Sequence, residues 1–191
     1  MKTIEWNEGQ RKAFQDLLRE FVASIDAKAQ ERRQTGKTPT IPERTSYQNR
    51  LNEFLEPWGY ACKISLGSGN LSHEPSITFC CQDILGEGFV NGEKPTPKKG
   101  FYIWFAYCWR KKDAKRFYLR IGRSREKDGE KECQKCLAYD KIVIENACYR
   151  KLYDDLEADL ENITNDFLRF ANEFNRIPTV HFELEPSSAN H

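Results

Sequence analysis

Residues Phe101-Tyr102-Ile103-Trp104-Phe105-Ala106-Tyr107-Cys108-Trp109 carry no charge and put apolar or aromatic side chains on both faces of an extended chain. A strand of this kind needs a neighbour on either side and cover above and below, so it belongs at the centre of a sheet. Weaker strands surround it. Ile64 and Leu66 alternate with Lys63 and Ser65, Ile77 and Phe79 restart the alternation after Pro75, and Phe117, Leu119 and Ile121 alternate on a return strand. With helical patterns near both ends, the chain reads as α+β: a mixed or antiparallel central sheet flanked by N- and C-terminal helices. A length of 191 residues with 39% hydrophobic content suits one domain with a real core.

The helices have local signals. Asn7 followed by Gln10 matches a capping box, and Phe14, Leu17, Leu18, Phe21, Val22 and Ile25 then form an apolar stripe at helical spacing. A second short helix is expected over Ser46–Leu55 and a long one over Lys151–Asn175, where Leu152, Leu156, Leu160, Ile163, Phe167, Phe170 and Phe174 recur at three- and four-residue steps. Polar residues with Gly36, Pro39 and Pro42 suggest a loop between them. The expected organisation is therefore an N-terminal helix to residue 27, a polar loop over 28–45, a core over 46–177 and a tail over 178–191. Gly36-Lys37-Thr38 is not a phosphate-binding loop, because position 31, where the motif needs its first glycine, is Glu31.

A net charge of +1 hides two opposed regions. From Lys94 to Arg125 there are eleven basic residues against the single acid Asp113, whereas Leu152 to Glu173 holds seven acids against Arg169. A concentrated basic strip suits phosphate binding, though a solvated hairpin surface has the same composition. Seven cysteines without a signal-peptide core point to reduced thiols in a cytoplasmic protein. Cys133-Gln134-Lys135-Cys136 lacks a second close pair to complete a zinc site, and no cofactor is expected.

Enzyme motifs are scarce. There is no nucleophile elbow, and His73, His181 and His191 lack metal-ligand spacing. Asp113-Ala114-Lys115, with Asp83 upstream, has the shape of a nuclease element, but a hairpin tip is a poor place to build a two-carboxylate metal site. Tyr102 and Trp104 share one face of their strand and can either fill a core or stack on bases. The turn Gly67-Ser68-Gly69-Asn70 lets backbone approach a partner closely and can aim N–H groups at an anion.

Taken in order, four segments are similar to the N-terminal DNA-binding domain of McrB-type modified-cytosine restriction systems. They are Lys63 to Asn70 with Pro75 and Phe79, then Lys99 to Ile103, Phe117 to Ser124, and Asp155 to Phe167. The resemblance spans roughly residues 46 to 175. It implies a reader of methylated cytosine in double-stranded DNA that flips the base into a pocket. A GTPase motor and a nuclease subunit would then lie in other domains or chains. It would place Ser68, Asn70, Ser76, Tyr102, Trp104 and Tyr139 at the base pocket or groove. Lys98, Lys99, Arg110, Lys111, Lys112, Lys115, Arg116, Arg123 and Arg125 would hold phosphates. Family members often have tyrosine and tryptophan where this chain has Ser68 and Ser76, which shifts the stacking role to Tyr102, Trp104 or Tyr139. The alternatives are a sequence-specific DNA binder or a protein-interaction domain on the same fold, without a flipped-base pocket.

Overall fold

The computed structural model describes residues 3–36, 44–67, 71–81, 101–110, 116–123 and 150–176. Helix α1 (Glu8–Thr35) leads into α2 (Arg44–Leu55) and a short 3-10 turn (Glu56–Trp58). Strands β1 (Tyr60–Ser65), β2 (Ser76–Cys81), β3 (Phe101–Tyr107), β4 (Phe117–Arg123) and β5 (Arg150–Tyr153) follow, and α3 (Leu156–Arg176) closes the described fold. The five strands form one sheet in sequential order, and every neighbouring pair is antiparallel. As its two apolar faces require, β3 is the middle strand. Among the described residues, no helix is long and apolar enough to cross a membrane.

Tyr60, Cys62, Ile64, Ile77, Phe79, Ile103, Phe105, Tyr107, Phe117 and Leu119 all face the helices and are nearly or fully buried. Phe167 of α3 meets Phe14 of α1 and Phe79 of β2, each at 4.8 Å between ring centroids, and Trp6 at 5.5 Å. Trp6 and Ile4 precede α1 yet are buried, and Asn172 of α3 holds Ile4 through both its backbone groups at 2.7 and 3.0 Å. The N-terminal helix is thus part of the one core.

The capping box is formed. The Asn7 side chain accepts from the Gln10 N–H, and the Gln10 side chain accepts from the Asn7 N–H, both at 2.9 Å. Two boundaries differ from those expected. Residues 28–35 are helical, because Ala29 continues the buried stripe one turn beyond Ile25, and the helix ends only where Gly36 takes a left-handed φ of 68°. The stretch from Lys151 is not one helix. Arg150–Tyr153 pairs with β4, and Asp155 then caps α3 by accepting from the Ala158 N–H at 2.9 Å. A leucine spacing of four linked Leu152 to Leu156, but Leu152 is 37% exposed on the sheet's edge strand.

The acids of α3 are engaged within the fold. Arg11 bonds Glu161, Gln15 donates to the same carboxylate at 2.9 Å, and Arg19 bonds both Glu157 oxygens at 2.9 and 3.0 Å. The described cysteines Cys62, Cys80, Cys81 and Cys108 are buried thiols, and burial pushes Cys80 up to about 12, which keeps it neutral and unreactive.

Candidate nucleic-acid interface

Because paired residues in an antiparallel sheet share a face, the strand register sets the chemistry of the side away from the helices. One row runs Lys63, Thr78, Trp104, Arg120, Arg150 across all five strands. The next runs Ser65, Ser76, Ala106, Tyr118, Leu152. No carboxylate occurs in any of the five strands. Arg120 and Arg150 are exposed, and Lys63, Tyr102, Trp104 and Tyr118 are partly buried. The Arg120 guanidinium lies 4.5 Å from the centre of the Trp104 ring, a cation–π contact that fixes the arginine without neutralising it. Tyr102 lies against Gly122: a Cβ there would come within 2.4 Å of the tyrosine ring. Glycine at 122 is therefore what lets the ring settle onto the sheet.

Tyr102 and Trp104 thus stand together on one cation-bordered face, as the two-residue spacing implies. Ser76 is diagonal to Trp104 in the register but only 5% exposed. It is buried beside the strand that carries Trp104.

A second basic feature lies at the end of the sheet. The last turn of α1, the segment after Gly67 and the start of the β3–β4 connection enclose an open cleft of about 450 Å³, bordered by Arg32, Gly67, His73, Glu74 and Arg110. An adjoining hollow of about 420 Å³ is lined by Arg32, Arg33, Trp109 and Arg110. Gly67 enters the turn with φ of 108°, a conformation that favours glycine. Trp109 is 7% exposed, and its indole N–H donates to the Ser72 carbonyl at 2.6 Å. Guanidinium groups of Arg110 and Arg33 sit over its ring at 5.0 and 5.8 Å. Arg110 also contacts the His73 ring nitrogen at 3.0 Å, and Arg32 reaches the Leu71 carbonyl at 3.4 Å.

Arg116 also has a role within the fold. It donates to the Tyr107 hydroxyl and stacks on that ring at 5.2 Å, while the hydroxyl donates to Asp26 of α1 at 2.5 Å. Burial first, and the bond to Asp26 second, hold the Tyr107 hydroxyl above its usual range, so it stays a donor. Arg116 therefore helps tie the sheet to α1 through Tyr107. Ser68, Asn70, Lys98, Lys99, Lys111, Lys112, Lys115, Arg125, Tyr139, Asp83 and Asp113 lie outside the described residues, as does the Arg123 side chain. Among the described residues, no group of three or more histidine, cysteine or acidic side chains could hold a metal ion.

Residue-by-residue reading missed Lys63, Arg120 and Arg150, which converge only through register, and Arg32 and Arg33, which the expected loop concealed. Gly36 as a helix-ending glycine was the available signal for the latter pair. Comparison with known proteins finds no matching family model and no matching curated protein.

Proposed function

We propose that this chain is the DNA-binding reader of a modification-dependent restriction system, recognising a modified base, methylated cytosine by family resemblance, after flipping it from the duplex. The observation that carries this reading is the row Lys63, Trp104, Arg120, Arg150. It sets an aromatic ring among cations on a face whose strands contain no carboxylate. The cations supply attraction to phosphates, and Tyr102 and Trp104 supply surfaces on which an extruded base can stack. Stacking on such a ring contributes about 1–3 kcal/mol per base. A buried methyl adds only about 0.8 kcal/mol, so the rings carry most of the base affinity and the methyl tunes it. Motor and nuclease functions belong, on this reading, to a separate GTPase and nuclease.

The rival reading as a protein-interaction domain using its acidic helix loses support from the pairing of Glu157 and Glu161 with arginines of α1.

A fluorescence-anisotropy titration tests the proposal. Matched duplexes would carry cytosine, 5-methylcytosine, 5-hydroxymethylcytosine or N6-methyladenine, each at two salt concentrations. Tighter binding to one modified duplex, with the preference lost in Trp104→Ala, is the expected result. Equal affinity for all four duplexes would contradict base reading and leave a modification-blind DNA binder. No binding at low salt would overturn the DNA assignment and favour a protein partner.

A further inference from the structure

We infer that the cleft and the adjoining hollow between the end of α1 and Trp109–Arg110 form a phosphate clamp for the DNA backbone, with Arg33 and Arg110 as its ligands and Trp109 as their rigid mount. The inference rests on the reading of this protein as a DNA binder, but it concerns a separate place on the molecule. Trp109 follows just beyond the end of β3, the strand that carries Trp104.

Three facts point to phosphate. First, Arg32, Arg33 and Arg110 have no carboxylate partner among the described residues, although six other basic residues of the fold each have one. Second, these arginines are held without a carboxylate, by an indole ring, a histidine ring nitrogen and a backbone carbonyl. Such contacts order a guanidinium while leaving its charge for a ligand, and its forked donors match phosphate oxygens. Third, the mount is rigid. Trp109 is buried and bonded to Ser72, the Tyr107 N–H donates to the Pro75 carbonyl at 2.9 Å, and Tyr107 is tied through its hydroxyl to Asp26 of α1. The arginines of α1 and the arginine after β3 are thereby held in one frame.

Arginines in a final helical turn also complement the helix dipole, which accounts for Arg32 and Arg33 in part. That does not explain Arg110, which comes from another element and converges on the same indole. Glu74 borders the cleft and accepts from the Cys108 thiol at 3.3 Å. Against that one carboxylate stand Arg32 and Arg110 in the cleft and Arg33 in the adjoining hollow, which leaves a modest positive excess. This fits a singly charged phosphodiester better than a nucleoside triphosphate.

The test compares the wild-type chain with the double variant Arg33→Gln/Arg110→Gln, its lysine counterpart Arg33→Lys/Arg110→Lys, and Trp104→Ala. Binding to unmodified and modified duplexes is followed across a salt series, with thermal melts to confirm folding. Loss of two phosphate contacts should reduce the log–log salt slope by about 1.8, at ~0.9 per contact. The affinity loss should be equal on both duplexes, because a phosphate carries no base identity. The lysine variant should keep most of the slope, and Trp104→Ala should keep the slope while losing discrimination. An unchanged slope in the glutamine variant, with Trp104→Ala still impaired, would overturn the clamp and leave the DNA reading standing. A wild-type chain that binds no duplex at low salt would fail the DNA reading itself. If inorganic phosphate then shifted the Trp109 indole N–H resonance at millimolar concentration, the cleft would be a site for free phosphate instead.

Discussion

Arg19 and Arg33 leave the same helix, α1, yet the fold treats them in opposite ways. Arg19 is matched by Glu157 of α3 and by Asp16 one turn away, so its charge is consumed within the protein. Arg33, four turns further along, meets a tryptophan ring and no described carboxylate. The same division separates the two sides of the molecule. On the helical side, Arg11, Arg19 and Arg50 all bridge helices, whereas Arg32, Arg33, Arg110 and Arg120 are held by rings or by a carbonyl. A near-neutral protein can therefore present a basic surface, because some of its acids are paired with Arg11, Arg19 and Arg50 where helices meet.

The largest effect should come from breaking the helical side, whose role is structural. Phe167→Ala removes a fully buried ring that touches Trp6, Phe14 and Phe79. It is expected to lower unfolding stability by about 3–5 kcal/mol in urea denaturation. A loss below about 1 kcal/mol would mean that the aromatic cluster does not hold the layers together.

Next in size is Trp104→Ala on the face away from the helices. DNA affinity should fall roughly tenfold to a hundredfold, as expected for losing about 1–3 kcal/mol of stacking, while the melting temperature moves by only a few degrees. Anisotropy and calorimetry on the same preparation check both halves. A large loss of stability with DNA affinity intact would place Trp104 with the core.

Smaller still is Arg19→Ala. The pair with Glu157 is well exposed, so stability should change by less than about 1 kcal/mol, and DNA affinity should not change at all. A drop in affinity as large as that of a cleft variant would erase the distinction between the two halves of α1.

The smallest expected effect is a pH dependence. The hydrogen bond from Arg11 is the main reason the Glu161 carboxyl is held below its ordinary value of 4.5, with Gln15 adding to it. A group depressed in the folded state contributes fully above its unfolded value, and the contribution disappears as pH falls through the folded value. Glu161→Gln should therefore cost a small amount of stability at neutral pH, where the contribution is full, and flatten the acid side of the curve below about pH 4.5, where the two proteins converge. A curve steeper than wild type in acid would contradict the assigned direction.

What was legible in the sequence was local. Asn7 and Gln10 signal a capping box by type and spacing alone, and the uncharged stretch from Phe101 contains the central strand, which ends at Tyr107, short of Cys108 and Trp109. The shared face of Tyr102 and Trp104 follows from a period of two. What was not legible depends on partners distant in sequence. Counting bases could not foresee that Arg116 lies on Tyr107, which is tied to Asp26 of α1, or that Arg110 lies on Trp109. The row from Lys63 to Arg150 needs four registers to be known at once. Leu152 satisfied a helical spacing by coincidence, and only the Asp155 cap and the pairing with β4 show that the helix starts later.

The central claim is that nucleic acid meets the sheet face and its end cleft and avoids the seam between α1 and α3. Backbone and side-chain resonances of the intact chain, followed during titration with a duplex containing 5-methylcytosine at low salt, test it most directly. Shifts concentrated at Lys63, Trp104, Arg120, Arg33 and Trp109, with Arg11, Arg19 and Glu161 unmoved, are expected. Shifts centred on the seam, with the Trp104 and Trp109 indoles unaffected, would contradict the account.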